Sequence, residues 1–185
     1  MATSPHHARG SSALSFSTTG LRRQSTVAVK QLTPDQWSEL REIRLAALAD
    51  SPQMFLSSYE REVDYAPAIW ENEFKRGDWY AGYVGGTPVC MIGVTKEPDM
   101  PPDECYLEYM WVSPQFRGSG IARSLLEEVL GNLREAGYAT VLLWVLSGND
   151  IAAHLYERMG FDWTGRAQPL ADRPGRCERQ MRLGL

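Results

Sequence analysis

The sequence has few of the residues that build metal centres or disulfide frameworks. Of its 185 residues only three are cysteines, an odd number without any C-x-x-C pair (Cys90, Cys105 and Cys177). Only three are histidines, and two of them lie at positions 6 and 7, which leaves His154 alone in the rest of the chain. The cysteines indicate buried or free thiols in a reducing compartment. We therefore expect no metal site and no histidine-based triad.

Long apolar runs and an excess of positive charge are also missing. No apolar run approaches the ~20 residues that a bilayer-spanning helix needs. The formal net charge is -4, so the sequence lacks the basic footprint typical of nucleic-acid-binding proteins. What is present, 43% hydrophobic and 23% charged residues, is typical of a soluble globular domain. We expect a cytoplasmic protein that binds neither membrane nor nucleic acid.

The first part of the chain differs in composition from the rest. Residues 1–25 contain nine Ser and Thr, and no acidic residue occurs before Asp35. Too few large apolar side chains are present there to offset the entropy lost on ordering, so a disordered tail over 1–25 is predicted. An organelle transit peptide is the alternative, although the three arginines of this segment do not form a persuasive amphipathic helix. Residues 26–185 are predicted to form a single domain.

Alternation and helical spacing of apolar residues define the expected elements. Strands are predicted over 26–32, 79–84, 88–95, 105–112, 140–146, 161–168 and 177–184. Helices are predicted from residue 34, over 59–75 with a break near Pro67, over 121–136 and over 150–159. The stretch from 105 to 146 is therefore strand, loop, helix and strand, which is typical of a parallel crossover unit.

The loop of that unit, residues 115–122, reads QFRGSGIA. Gly118 and Gly120 carry no Cβ and allow a positive φ, so successive amides at the helix start can converge on a phosphate group. The alternative is that the two glycines only make a tight strand-to-helix turn. The loop lacks the Lys and Ser/Thr of a P-loop and the three glycines of the dinucleotide fingerprint, which argues against both of those sites.

These residues resemble the GNAT superfamily of N-acetyltransferases. QFRGSG at 115–120 fits the family's Q/R-x-x-G-x-G/A motif, and the flanking VSP (112–114) and IA (121–122) are typical of the same region. About 30 residues later, NDIAAHLY (149–156) followed by GF (160–161) resembles its N-x-x-A-x-x-L-Y helix. The resemblance covers residues 26–185.

The resemblance implies a fold, a co-substrate and a reaction. The fold is mixed α+β, a mostly antiparallel sheet of about seven strands with a central parallel pair splayed around the cofactor and about four flanking helices. The co-substrate is acetyl-CoA, and the reaction is direct acetyl transfer to a primary amine of a small molecule or peptide. A catalytically idle acetyl-CoA-binding regulatory module is the alternative. Assembly into a homodimer is left open.

The cofactor-binding residues implied by the resemblance lie in three segments. They are Met110, Trp111 and Val112 on the strand, Gln115, Arg117, Gly118, Ser119, Gly120, Ile121 and Ala122 in the loop, and Asn149, Ala152 and Tyr156 on the later helix. Arg117 is expected to contribute its backbone N–H and a charge near the phosphates. We expect strands 105–112 and 140–146 to separate at their C-terminal ends and to hold the pantetheine arm between them.

Two residues are the candidate catalytic groups. Tyr156 shares a helix face with Asn149 and Ala152 and is expected to protonate the leaving thiolate. Its alternative role is that of a core tyrosine whose hydroxyl bonds a backbone carbonyl, and Asn149 has the alternative of a simple N-cap. Glu108 is the candidate base. Because side chains alternate along a strand, Glu108 is expected on the same face as Tyr106, Met110 and Val112. The alternative for Glu108 is a charge at the rim that faces solvent, in which case water takes the proton from the amine.

The acceptor side is less clearly marked. By analogy with the family it is covered by the first two helices and the last hairpin. Aromatic and hydroxyl groups available there are Phe55, Ser58, Tyr59, Trp70, Trp79 and Tyr80, for which core packing is the alternative. Glu60, Glu62 and Asp64 could attract a cationic amine or form a solvated run of charge. His154 is expected on the surface, off the Asn149–Tyr156 face.

Overall fold

A computed structural model describes residues 27–170 and 173–185. The predicted tail over 1–25 lies outside the described residues, as does the first residue of the predicted strand over 26–32. The described chain forms seven strands: β1 (Ala28–Gln31), β2 (Gly77–Val84), β3 (Thr87–Thr95), β4 (Glu104–Val112), β5 (Thr140–Leu146), β6 (Asp162–Pro169) and β7 (Cys177–Gly184). Its five α-helices are α1 (Trp37–Asp50), α2 (Tyr59–Glu62), α3 (Pro67–Arg76), α4 (Ile121–Glu135) and α5 (Asp150–Arg158).

Local sequence accounts for where the helices begin and what they bury. A short 3-10 turn over Pro34–Gln36 leads into α1, and the predicted break near Pro67 separates α2 from α3, which has this proline in its first turn. Helix α4 buries one apolar stripe made of Ile121, Leu125, Leu126, Val129, Leu130 and Leu133. None of the helices in the described part of the chain is long and apolar enough to cross a membrane.

The seven strands form one sheet in the order β1-β2-β3-β4-β5-β7-β6. Every neighbouring pair is antiparallel except β4 and β5, which are parallel. Their pairing starts at Glu104 with Thr140 and stops at Leu107 with Leu143, although both strands continue beyond these residues. The parallel pair therefore separates at its C-terminal ends, as predicted.

Two layers of side chains cover the two faces of the sheet. On one face α4 packs into a cluster that includes Cys105, Leu107, Val129, Tyr156 and Phe161; we call it the α4 face. On the other face α1 and its neighbours pack with Trp79, Tyr83, Met91, Tyr109 and Trp111; we call it the α1–α3 face. The gap between β4 and β5 lies between these layers.

A bulge interrupts β4 where the gap opens. Tyr109 has a φ of 59°, and it is the sole non-glycine residue with a positive φ among residues 27–170 and 173–185. Gly93 lies opposite Glu108, and Met91 lies opposite Trp111. Between these two pairs β4 contains one residue more than β3, which is a β-bulge. The side-chain alternation shifts there, and Met110 and Val112 pack on the α4 face. The prediction that they share a face with Tyr106 and Glu108 is therefore wrong.

Candidate functional site

The loop between β4 and α4 presents an open, glycine-shaped surface. A short 3-10 turn over Pro114–Phe116, which includes the exposed Gln115, follows β4, and residues 117–120 are exposed. Gly118 and Gly120 have φ values of 71° and 91°, which side-chain-bearing residues rarely adopt. Among residues 27–170 and 173–185, a Cβ built on either glycine would meet nothing within 4 Å apart from the flanking residues. The space above this backbone is therefore open to a ligand.

The amides at the start of α4 point to the same space. The first bond into the helix runs from the Ser124 N–H to the Gly120 carbonyl at 3.1 Å. Within the described residues, the amides of Ser119 to Arg123 have no acceptor, and the helix dipole adds partial positive charge at this end. The side chain of Ile121 is buried in the core, so only its backbone faces the loop. The Ser119 hydroxyl bonds back to the Phe116 carbonyl, which fixes the turn.

Arg117 is placed differently from the expectation. Its amide donates to the Pro114 carbonyl at 3.2 Å, and its Nε donates to the Val112 carbonyl at 3.0 Å. Its Nη2 donates to Asp50 Oδ2 in an ion pair with the end of α1. The amide is thus engaged within the turn, and the positive charge is paired rather than free beside the loop.

Asp50 collects three donors from different parts of the chain. Its Oδ2 accepts from Ser51 Oγ at 2.6 Å, from Trp111 Nε1 at 2.9 Å and from Arg117. Partial burial acts to raise the pKa of Asp50, but the bonds from Ser51, Trp111 and Arg117 outweigh it and lower the pKa below its usual value. Asp50 carries no local sequence signal of this role, because Trp111 and Arg117 are 61 and 67 residues away along the chain.

The edge of β4 that faces the gap carries the predicted cofactor residues of the strand. From Glu108 onward this edge has no strand partner in the part of the chain that the structure describes. Backbone groups near Met110 and Trp111 therefore face the gap, whereas the Val112 carbonyl already accepts from Arg117. An unpaired strand edge of this kind can add an extended ligand by main-chain hydrogen bonds.

Asn149 and Ala152 meet at the start of α5. Asn149 Oδ1 accepts from the Ala152 N–H at 3.3 Å, so Asn149 is the N-cap that the alternative reading described. Next to it lies a cavity of about 110 Å³ between β5, α5 and the last two strands. The cavity is lined by Val145, Leu146, Ser147, Gly148, Asn149, Asp150, Ala153, Trp163 and Arg179.

Tyr156 lies deeper on the same helix. The residue is 8% exposed, and its ring packs edge-on against Phe161 with the centroids 5.6 Å apart. Burial raises the pKa of Tyr156, so its phenol stays protonated at neutral pH. Its hydroxyl makes no hydrogen bond to any described residue, so the alternative of a bond to a backbone carbonyl is not observed.

Glu108 is the first residue of β4 beyond the last pair with β5. It is half-buried and accepts a hydrogen bond from Thr95 Oγ1 at 2.8 Å. Leu107 packs on the α4 face, so alternation directs Glu108 to the α1–α3 face. Burial, together with the charge of Glu108, raises the pKa of the neighbouring Tyr109 to about 12. Glu108 and Tyr156 thus belong to opposite faces, with the gap between the two strands between them.

The family model for the acetyltransferase (GNAT) family matches residues 37–161, more than half of the chain. This chain belongs to the GNAT family. The match confirms the recognised family, which is a family of acyltransferases, and the observed sheet with its one parallel pair confirms the mixed α+β fold class.

Several curated relatives of this GNAT domain are named N-acetyltransferases. The chain is 34% identical to "N-acetyltransferase 8B" of Rattus norvegicus over 122 residues, which is 66% of this chain and 49% of that protein. It is 37% identical to "N-alpha-acetyltransferase RimI" of Mycobacterium tuberculosis over 81 residues, 44% of this chain and 49% of that protein. The match thus spans about half the length of each of these relatives.

Solved structures share the fold at low sequence identity. An acetyltransferase of the GNAT family from Streptococcus pneumoniae matches with a TM-score of 0.71 and 15% identity, covering 86% of this chain and 99% of that one. The ribosomal-protein-S18-alanine N-acetyltransferase from Escherichia coli matches with a TM-score of 0.62 and 20% identity, covering 86% and 94%. These likenesses show the GNAT fold alone.

The residues suggested for the acceptor side of this GNAT domain divide by burial. Phe55, Trp70, Trp79 and Tyr80 are buried, so the packing alternative holds for them, and Tyr80 lies on the α4 face. Glu62 is buried in an ion pair with an arginine of α1, whereas Tyr59, Glu60, Asp64 and His154 are exposed. No group of three or more His, Cys, Asp or Glu within residues 27–170 and 173–185 is arranged to hold a metal ion.

Proposed function

We propose that this chain is an acetyl-CoA-dependent N-acetyltransferase that transfers acetyl to a primary amine of a small molecule or peptide. The observation that carries the proposal is the coincidence of two features. The parallel pair opens after Leu107, and the same strand is followed by the glycine loop and by helix amides that have no acceptor among the described residues. An extended acyl-pantetheine arm attached to a pyrophosphate has the shape and the charge that these two features accept.

The residues fit acetyl-CoA at three points. The amides of Ser119 to Arg123, together with the glycine backbone at 118 and 120, would hold the pyrophosphate. The unpaired edge of β4 near Met110 and Trp111 would bond the pantetheine arm. The start of α5, with Asn149 and Ala152, would lie against the same arm on its other side. Gln115 and Ala122 flank the loop at its two ends, and Arg117 holds the loop to α1.

Glu108 and Tyr156 supply the proton transfers of the proposed reaction. The amine nitrogen forms a bond to the acetyl carbon while the carbon–sulfur bond breaks. The amine reacts in its neutral form, and Glu108 accepts, directly or through water, the proton that the nitrogen loses as the amide forms. Tyr156, protonated at neutral pH, donates a proton to the leaving sulfur, and the proton held by Glu108 returns to Tyr156 through water. Water is the alternative base if Glu108 only shapes the pocket wall.

The names of the relatives support both classes of acceptor. One is an N-alpha-acetyltransferase, and another, 37% identical over 68 residues, is named mycothiol acetyltransferase, of Propionibacterium freudenreichii. A peptide amine and a small-molecule amine therefore both remain candidate acceptors. Reaction in the cytoplasm and assembly into a homodimer stay predictions.

Substitution of the loop glycines tests the cofactor site. We expect Gly118→Val and Gly120→Asp each to weaken CoA binding by at least about 100-fold, because a side chain strains the positive φ and occupies the space above the loop. The measurement is isothermal titration calorimetry with CoA. Gly131→Ala in the middle of α4 is the matched control, since a Cβ there meets nothing within 4 Å and Ala favours the helix. Affinity equal to wild type in both loop variants would overturn the assignment.

Activity is tested separately by thiol release from acetyl-CoA with a broad panel of primary amines. Turnover with one or more amines is the result that we expect. Tight CoA binding with no thiol release from any amine would instead support the idle regulatory module.

A further inference from the structure

Unpartnered polar atoms concentrate on one face of this molecule. Among the described residues, four buried side-chain nitrogen or oxygen atoms have no hydrogen-bond partner: Arg44 Nη1, Ser57 Oγ, Trp70 Nε1 and Tyr83 Oη. All four belong to the layer of α1–α3 or to the strand residues beneath it. A buried polar atom without a partner is costly, so such a cluster indicates groups that a ligand or bound water completes.

Arg44 is the strongest of the four because it carries a charge. Its Nε donates to Glu62 Oε2 at 3.0 Å and its Nη2 to Glu62 Oε1 at 2.9 Å, a two-pronged pair between α1 and α2. The two side chains are only 7% and 8% exposed. The pair neutralises the charge but leaves the N–H groups of Nη1 without an acceptor.

Nη1 belongs to a stack of planar groups that leads to Glu108. The Cζ of Arg44 lies 4.8 Å from the ring centroid of Phe55 and 4.8 Å from that of Tyr109. The Tyr109 ring stacks on Trp79 at 5.1 Å. Tyr109 is the bulge residue directly after Glu108, so the Arg44 guanidinium contacts the ring of the residue next to the proposed base.

We propose that Arg44 Nη1 binds a carbonyl or carboxylate oxygen of the acceptor. Because a guanidinium only donates, its missing partner is an acceptor atom, and because Glu62 already balances the charge, a neutral carbonyl suffices. The preferred acceptors then carry this oxygen close to the amine, as amino-acid amides and peptide N-termini do. This inference rests on the proposed function and names its substrate class.

Phe55, whose ring lies over the Arg44 guanidinium, belongs to the segment between α1 and α2. Its neighbours in that segment, Met54 and Leu56, are 39% and 67% exposed. Arg173, in the turn between β6 and β7, donates to the Gln53 and Phe55 carbonyls and so holds the backbone of this segment in place.

Matched acceptors test the proposal on the folded full chain. Phenylalaninamide and phenethylamine differ in the carbonyl group beside the amine, and kcat/KM is measured for both. Wild type is compared with the double variant Arg44→Met, Glu62→Met, which replaces the whole buried pair with apolar side chains and leaves no lone charge. Wild type and the double variant are assayed with the same two amines. The difference in pKa between the amines therefore affects both ratios of kcat/KM equally and cancels.

We expect the preference for the amide, expressed as the ratio of kcat/KM values, to fall by about 10- to 100-fold in the double variant. Arg41→Lys is the matched control, because Arg41 lies one turn earlier on α1 and donates to the Val63 carbonyl at 2.9 Å. An unchanged ratio in the double variant overturns the proposal and leaves bound water as the partner of Nη1.

A binding measurement decides the case independently of turnover. In protein labelled with ¹⁵N-arginine and saturated with CoA, the Arg44 guanidinium signal is identified by its loss in the double variant. Addition of phenylalaninamide is expected to shift that signal, and phenethylamine is expected to leave it in place. Equal responses to both compounds overturn the proposal. Failure of the proposed function would show differently, as absent CoA binding or as absent thiol release with every amine.

Discussion

The hydroxyl of Tyr156 is the single group on which the proposed proton donation to sulfur depends. General-acid assistance is typically worth ~10²–10⁴ in rate, so we expect Tyr156→Phe to lower kcat within that range. CoA affinity should stay close to wild type because the ring remains packed against Phe161. The melting temperature of Tyr156→Phe should also equal that of wild type, since the Tyr156 hydroxyl makes no hydrogen bond to any of the described residues. Steady-state kinetics and thermal unfolding of the same preparation measure all three quantities.

Tyr138→Phe serves as the comparison, because Tyr138 is half-buried in the turn before β5 and has no assigned part in the reaction. Full turnover by Tyr156→Phe with every accepted amine would remove Tyr156 from the mechanism. Water would then be the proton donor.

Residues on one element were predictable, whereas residues that meet across elements were not. Asn149, Ala152 and Tyr156 follow a helical period, so the sequence alone places them on one face of α5. Arg44 and Glu62 are 18 residues apart on two short helices, and no local rule pairs them. Their partnership follows from the packing of α1 against α2, which depends on the whole layer.

At the scale of elements, Asp50 joins α1, β4 and the loop before α4 through its three donors. Asp50→Asn removes the charge from these bonds while keeping the size of the side chain. We expect the free energy of unfolding to fall by about 1–2 kcal/mol at pH 7, the usual range for a hydrogen-bonded charge that is partly exposed. Urea unfolding measures it, with Asp64→Asn, an exposed aspartate on the chain after α2, as the control.

The pH dependence of this effect has a definite sign. The folded-state pKa of Asp50 is lowered from the value of 3.8, so its stabilisation is present above 3.8 and is lost as the pH falls through the folded pKa. The difference in the free energy of unfolding between wild type and Asp50→Asn should therefore become smaller as the pH is lowered below 3.8. A difference that is constant over this range would show that the carboxylate charge contributes nothing.

The strands and helices were predicted closely, but the bulge in β4 was not. The strand over 140–146 has the predicted bounds, because its apolar run comes shortly after Gly137 and is followed directly by Ser147 and Gly148. CYLEYMWV reads as a continuous strand because it is rich in aromatic residues and contains neither Gly nor Pro. The extra residue at Tyr109 becomes apparent only in the register with β3, which no property of β4 alone determines.

At the scale of the molecule, the predicted domain boundary can be tested by truncation. The first described strand begins at Ala28, so deletion of residues 1–25 leaves every described element intact. We expect the shortened chain to keep the melting temperature and the CoA affinity of the full chain, because both depend on contacts among the later residues. Thermal unfolding and calorimetry of the two proteins, side by side, measure this. A fall of several degrees, or a large loss of affinity, would contradict the predicted boundary.

The separation of β4 from β5 has a consequence for inhibitor design. If acetyl-CoA enters along the α4 face and the amine along the α1–α3 face, the two substrates approach the same gap from opposite sides of one sheet. A single molecule that joins CoA to an amino-acid amide by a short linker would then occupy both sides at once. Linkage turns the second binding event into an intramolecular one, so such a compound would gain affinity through effective concentration, without any new contact. The best linker would be the one whose length matches the thickness of the sheet at Glu108.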